Sequence, residues 1–384
     1  MENNILSKQS KLPGTGTSIF SIMSKMAEDF NAVNLSQGFP DFDCPEELKS
    51  LVNYYMKNGN NQYAPMPGVP ALRQMISNKI EKLYNRRYSP GTEITITAGA
   101  TQALFTAVSA IIRSGDEAII FEPAYDSYAP AVLANGGIPV FVPLAEPDFS
   151  YDWDKVKNAV NRKTRLIIIN SPHNPTGYVI NMSDILSLEE ITRGTSIFVI
   201  SDEVYEHIVF EGRHNSLARS GELSKRTFII SSFGKTYHAT GWKTGYCAAP
   251  EALMNEFRKF HQFVVFAVNT PVQLAYADFM KNEEHYMQLN EFYRKKRDLV
   301  LNNIKNSRFK FTGTKGTYFQ LLDYSNISGM NNMDFSEYMT KEKGIAVIPL
   351  SPFFSKDNSK KLIRICFAKK DEVLTGAAKL LCNI

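Results

Sequence analysis

The alternation of apolar and polar positions divides the chain into stretches of different character. Residues 19–30 carry apolar side chains at helical spacing, and 34–45 (NLSQGFPDFDCP) are dense in Gly, Pro and Asp, the composition of a loop. Pro45 opens a second helical stretch that stops at Gly59, with proline at the start and glycine at the end. A turn-rich segment (NNQYAPMPGVPAL) comes next, and a third helix is expected over 69–87. From residue 93 the pattern changes. Short apolar runs at 93–97, 117–121, 138–143, 165–170, 196–205 and 227–230 are interleaved with helical stretches at 101–113, near 128–134 and near 154–160. Apolar strands separated by helices predict a mostly parallel sheet covered on both faces. Helical pattern returns over 250–304, and the remainder alternates shorter elements: 315–324, 334–343, 344–350, 360–368 and a final helix from about 370. That last part reads as a smaller α/β domain.

Ligands on parallel sheets collect at the C-terminal strand ends, so the residues just after each apolar run are the first candidates for a site. Lys235 comes after the run TFII, between Phe233-Gly234 and Thr236-Tyr237. A lysine in a semi-apolar pocket loses its proton more easily, and the neutral amine can attack a carbonyl carbon, so Lys235 is a candidate cofactor anchor. The plain alternative is a strand-end lysine snorkelling to water. Ser232 and Lys243 nearby could bind an anion, and Gly234, Gly241 and Gly245 let backbone approach a ligand closely. Gly99-Ala100-Thr101-Gln102 joins a strand to a helix, where free N–H groups suit a phosphate. Asp202 ends an apolar strand, where a carboxylate is costly without a cation. Tyr205 stands three residues on, and the turn SPHNPTG (171–177) aims the Asn174 side chain. A metal site at Asp202, Glu203 and His207 lacks a further clustered ligand. Arg364, inside the apolar run LIRICF, needs a carboxylate, and a planar guanidinium suits the α-carboxylate of an amino acid.

Composition narrows the class. A chain of 384 residues with 43% hydrophobic content buries a large core, in two or three domains by length. A net charge of +4 with no block of like charge gives no support for nucleic-acid or membrane-surface binding, and points to small-molecule partners. Cys44, Cys247, Cys366 and Cys382 are scattered without a C-x-x-C pair, which fits a reducing cytoplasm rather than a zinc site or disulfide framework. The N-terminal residues lack an apolar signal core and no run of 18 apolar residues occurs, so neither export nor membrane spanning is expected. The absence of G-x-G-x-x-G speaks against a nicotinamide enzyme.

The segment SFGKTYHATGWKTGYCAAP (232–250) resembles the pyridoxal phosphate lysine segment of class I/II aminotransferases of fold type I. Within that family it is most similar to the group of bacterial methionine aminotransferases and kynurenine aminotransferases, the latter doubling as cysteine S-conjugate β-lyases. The likeness runs from about residue 20 to the C-terminus. It implies an α/β fold with a large domain, 45–284, built on a mostly parallel seven-stranded sheet. A small α/β domain would comprise 20–44 and 285–384, with an N-terminal arm at 1–19. It also implies pyridoxal phosphate on Lys235, its phosphate held by Ala100, Thr101, Ser232 and Lys243, its ring stacked on Tyr125 and bonded by Asn174, Tyr205 and Asp202. Many relatives carry arginine at the position of Lys243, which offers a point charge instead of a fork. Arg364, Asn174 and the Gly38 backbone would hold the substrate carboxylate, while Phe20, Tyr63 and the 263–266 region would form an apolar side-chain pocket. In the family the tyrosine matching Tyr63 reaches the partner's cofactor phosphate, so the resemblance implies a twofold homodimer with shared sites. The implied reaction is ping-pong transamination from an L-amino acid to a 2-oxo acid, with methionine the preferred donor and aromatic amino acids next. Kynurenine transamination or C–S β-elimination would use the same residues. A non-catalytic regulator with this fold would be favoured by loss of Lys235 or Asp202, and both are present.

Overall fold

Six of the apolar runs and one further strand assemble into a single seven-stranded sheet in the computed structural model, which describes residues 10–13, 15–356 and 358–384. Residues 1–9 and 14 of the expected N-terminal arm lie outside the described residues. In chain order the strands are β1 (Val33–Asn34), β2 (Ile94–Thr97), β3 (Glu117–Glu122), β4 (Ile138–Pro143), β5 (Thr164–Asn170), β6 (Phe198–Asp202) and β7 (Thr227–Ser232). They continue with β8 (Gly245–Ala248), β9 (Phe319–Asp323), β10 (Ile345–Ala346), β11 (Ile348–Pro349) and β12 (Leu362–Cys366). The large sheet has the order β2-β8-β7-β6-β5-β3-β4, and only β8 runs against its neighbours.

Both faces of this sheet are covered, and the period-2 alternation of side chains gives each face its own core. Ile119, Phe121, Ile167, Ile169 and Val199 belong to one buried cluster. Their neighbours Ala118, Ile120, Leu166, Ile168 and Ile200 belong to another on the opposite face. Parallel register then levels the strand ends: Asn170 stands beside Asp202, and Asp202 beside Ile230. At the same edge Ser232 of β7 pairs with Gly245, the first residue of β8.

The C-terminal elements build two smaller sheets. Strands β9, β12 and β11 make a three-stranded antiparallel sheet, and β1 pairs in parallel with β10. Helices Leu289–Ile304 and Asp371–Cys382 pack on it through Tyr293, Val300, Leu374 and Leu381. Ile19 and Met23 of helix Ile19–Asp29 join Ile348, Leu350 and Phe353 in an adjoining cluster, which ties the N-terminal segment to the C-terminal part of the chain.

Local expectations differ from the structure in four places; one is the stretch 344–350, which splits into β10 and β11 in two different sheets. The helix expected over 69–87 is Pro70–Tyr84, because Asn85 turns left-handed at φ 56° and closes it. The 250–304 stretch is four helices, Glu251–Val264, Thr270–Phe279, Glu284–Met287 and Leu289–Ile304. Phe266 at φ 61° breaks the first pair, and the Asn269 side chain accepts from Val272 N to start the next helix. Strand β8 has no counterpart in the apolar pattern: four residues beginning with glycine make no distinct apolar run.

Candidate active site

The C-terminal edge of the large sheet, the small sheet and helix Ile19–Asp29 enclose a cavity of about 440 Å³. Every expected site residue except Tyr63 and the 263–266 region lines it. Tyr63 is 83% exposed and meets Phe266 edge to face at 5.4 Å, and Phe263 is 86% exposed, so this chain alone does not bring them into the cavity.

Lys235 sits on the short helical turn Phe233–Thr236 directly after β7. Gly234 is required there, since a Cβ would come within 2.8 Å of the Thr240 Cα. The Lys235 Nζ donates to the Gly38 carbonyl at 2.9 Å and lies 5.8 and 5.7 Å from the ring centres of Tyr205 and Tyr318. Burial pulls this amine down from 10.5 to about 8, helped by Arg364 and Lys243 and opposed by Cys366 and Asp202.

Asp202, 3% exposed, accepts from the Tyr128 hydroxyl at 2.6 Å. Burial lifts its carboxyl from 3.8 to about 6, with the Tyr128 hydrogen bond holding it back. Its backbone is fixed as well: Asn170 Nδ2 donates to the Asp202 carbonyl at 2.9 Å, and Asn170 Oδ1 accepts from Asn174 N at 2.8 Å. Thus Asn170 braces both neighbouring site residues. The flanking acids turn elsewhere, Glu203 to His214 at 2.8 Å and Glu206 to Lys79 at 2.6 Å. Among the described residues no group of three or more His, Cys, Asp or Glu is placed to hold a metal ion.

Arg364, in the middle of β12, is 1% exposed. Its Nη1 donates to Asn174 Oδ1 at 2.8 Å and its Nη2 to the Ser36 carbonyl at 3.2 Å, while Nε has no partner among the described residues. Phe319 lies against the guanidinium at 3.9 Å. Burial is the main cause that lowers Arg364 to about 10, with Asp126 among the groups opposing it. Among the described residues the guanidinium bonds only to neutral oxygens, so a ligand carboxylate would supply a charged partner.

Helix Ala100–Ile111 brings its N-terminus to the cavity wall, and Gly99 caps it at φ 82° without a side-chain partner. A Cβ on Gly99 would stand 3.5 Å from the Lys243 Nζ, so that ammonium lies directly beside the helix start. Gly245 makes the close approach possible, because a Cβ there would come within 2.9 Å of Ala100 N. Free helix N–H groups, Thr101, Ser232 and the Lys243 cation together form a donor set suited to phosphate. With Lys235, Lys243 and Arg364 facing a single Asp202, the cavity favours anionic ligands.

Asn170 and Tyr128 fall in the strand-end stretches 170–177 and 122–128 that sequence reasoning singles out, but with no role of their own there; Ser36, Tyr318 and Phe319 carry no local signal.

The chain matches the family aminotransferase class I and II over residues 31–381. It is 49% identical to the methionine aminotransferase of Escherichia coli (strain K12) over 383 residues, covering 99% of each protein. It is 34% identical to a kynurenine–oxoglutarate transaminase of Dictyostelium discoideum, with 94% of this chain and 93% of that protein covered. A solved Escherichia coli structure reported with a methionine aminotransferase function superposes with a TM-score of 0.96 at 48% identity, covering 98% of this chain and 99% of the other.

Proposed function

The chain belongs to the class I and II aminotransferases, and from that premise we propose that it transfers the amino group of an L-amino acid, methionine first and aromatic amino acids next, to a 2-oxo acid by a ping-pong cycle on pyridoxal phosphate. One observation carries the reading: a lysine amine lowered to about 8, a buried carboxylate, a phosphate-type helix start and an arginine bonded only to neutral oxygens among the described residues share one cavity. The likeness to a methionine aminotransferase supports the donor, and the phenyl ring of Phe20 at the cavity wall supports an apolar side chain.

The residues present fit the cofactor. Ala100, Thr101, Ser232 and Lys243 would hold its phosphate, Tyr125 would stack on its ring, and Asn174 and Tyr205 would bond the ring hydroxyl. Asp202 would keep a proton on the ring nitrogen. When bound, pyridoxal phosphate supplies an electron-withdrawing ring that lets the α-carbon proton of an amino acid leave. Lys235 takes and returns that proton. Burial already lowers this amine to about 8 in the empty cavity, so far more of it is neutral near pH 7 than of a lysine at 10.5. Arg364 and Asn174 orient the α-carboxylate, with the Gly38 backbone beside the guanidinium.

The division into an arm, a small unit of 20–44 and 285–384 and a large unit of 45–284 is part of this proposal, supported by the pairing of β1 with β10. So is a cytoplasmic setting, supported by four free cysteines; no described helix is long and apolar enough to cross a membrane.

The test is a panel of amino donors with a 2-oxo acid acceptor, scoring oxo-acid product and pyruvate release in parallel. Methionine should give the highest kcat/KM. Pyruvate release from cysteine conjugates without transamination of any donor would replace this reading with C–S β-elimination.

Arg364→Lys keeps the charge but loses the fork, so carboxylate binding should weaken by about 2 kcal/mol, on the order of thirtyfold in apparent affinity. An amino-acid amide should be indifferent to the change; equal losses for acid and amide would make Arg364 a packing residue. Tyr63 is proposed to act on the partner subunit's cofactor phosphate in a twofold homodimer, which its exposure supports. Mixing Lys235→Ala chains with Tyr63→Ala chains under exchange conditions should then restore activity, since each hybrid holds one complete site. If Tyr63 serves its own chain, no activity beyond that of the Tyr63→Ala parent will appear.

A further inference from the structure

One backbone carbonyl in the cavity carries two donors. The Gly38 oxygen accepts from Lys235 Nζ at 2.9 Å and from the Tyr318 hydroxyl at 2.7 Å. Both of its lone pairs are therefore used. The Tyr318 ring also faces the amine, its centre 5.7 Å from Nζ, and stands edge-on to Tyr205 at 5.1 Å. A glycine peptide has no side chain to hold its own orientation, so the carbonyl depends on its donors.

The backbone before Tyr318 is under constraint. Thr317 is β-branched and fully buried, yet has φ 65°, a conformation such residues rarely adopt. Thr317 N donates to the Ile208 carbonyl at 2.9 Å, and its Oγ1 accepts from Phe319 N at 3.1 Å. This held kink presents Tyr318 to the Gly38 carbonyl and Phe319 to Arg364. Gly38 is also confined on its other side, since a Cβ there would stand 3.1 Å from the Phe319 ring.

We propose that Tyr318 is a positioning residue for Lys235: its hydroxyl fixes the Gly38 carbonyl as the resting point of the lysine amine whenever that amine is free. The role rests on the assignment of Lys235 as the proton-transferring lysine. While Lys235 is engaged elsewhere, Tyr318 keeps the carbonyl aimed, so the amine returns to the same place on release. Filling the core does not account for this arrangement. Phenylalanine would fill the same space among Tyr293, Tyr205 and Phe319, and a buried tyrosine hydroxyl could have taken any acceptor.

Tyr318→Phe tests the role because it removes the hydroxyl and keeps the ring. In the cofactor-free chain, Lys235 is labelled with acetic anhydride across a pH series and its acetylation read by peptide mapping. A hydrogen bond to the ammonium favours the charged form, so a carbonyl that is no longer tethered should let the labelling midpoint fall by roughly 0.5 or more. The other groups facing the amine, Asp202, Arg364, Lys243, Cys366 and Tyr205, are the same in both chains. In the loaded enzyme, kcat should fall about tenfold with KM within about twofold, since the substrate contacts are kept. Tyr318→Leu, which loses the ring too, should give the same direction and serves if the phenylalanine chain does not fold. An unchanged midpoint would leave Tyr318 a packing residue, and a raised one would mean that it competes with Lys235 for the carbonyl; either overturns the proposal. The labelling needs neither cofactor nor amino acid. An inactive wild type would therefore overturn the functional reading, whereas an unshifted midpoint beside an active wild type would overturn the role of Tyr318 alone.

Discussion

Lys235→Ala is expected to lower transamination by about 10⁴-fold or more while the protein still folds and still binds pyridoxal phosphate without a covalent link. General acid–base catalysis by one placed group contributes roughly 10² to 10⁴ in rate, and loss of the covalent anchor adds to it. The fold should survive because the side chain ends in the cavity, with one hydrogen bond to the Gly38 carbonyl, and β7 beneath it is held on both sides by β6 and β8. Phosphate binding should survive because Lys243 and the start of helix Ala100–Ile111 are untouched. Two measurements check this. Borohydride reduction of the wild-type enzyme followed by peptide mapping should find the cofactor on Lys235 alone. The alanine chain should show cofactor that is lost on dialysis. Label on Lys243 after reduction, or turnover in the alanine chain within tenfold of wild type, would remove Lys235 from its role.

Residues whose chemistry conflicts with their local setting are legible in the sequence. Lys235, Asp202 and Arg364 are charged groups at or inside apolar runs, and burial turns that conflict into shifted pKa values in all three. Strand order is legible only as a class. Six runs argue a mostly parallel sheet, whereas the seventh strand, the short β8, comes from resemblance and takes its place by pairing with β7 and β2. Groups that act through a distant partner leave no mark in the sequence. Tyr128 looks like the first residue of a helix until its hydroxyl meets Asp202, 74 positions on. Tyr318 is 280 positions from Gly38, and its partner there is a backbone atom, which no residue type announces. Tyr63 marks another boundary, because its proposed place is on a second chain.

Asp202→Asn is expected to act in opposite directions on turnover and on the stability of the cofactor-free chain. In the folded chain the carboxyl titrates at about 6 against 3.8 unperturbed, with burial the main cause. Between those values the folded chain binds more protons than the unfolded one, so stability falls as pH rises through this window and the penalty is complete above about 6. Its upper bound is about 3 kcal/mol. Asparagine has nearly the same shape and can still accept from the Tyr128 hydroxyl, but carries no charge to desolvate. The cofactor-free Asp202→Asn chain should therefore be more stable than wild type at pH 8, by roughly 1–3 kcal/mol, with the difference gone near pH 3.5. Turnover should move the other way, by about 10³-fold, because a neutral amide cannot hold a proton on the ring nitrogen of the cofactor. Denaturant melts of the cofactor-free chains at the two pH values, set beside kcat of the loaded enzymes, read both effects. A stability gain at pH 8 without loss of turnover would show that the buried carboxylate serves no cation. Loss of turnover without the gain would mean that Tyr128 and the surrounding backbone already compensate the charge in the empty cavity.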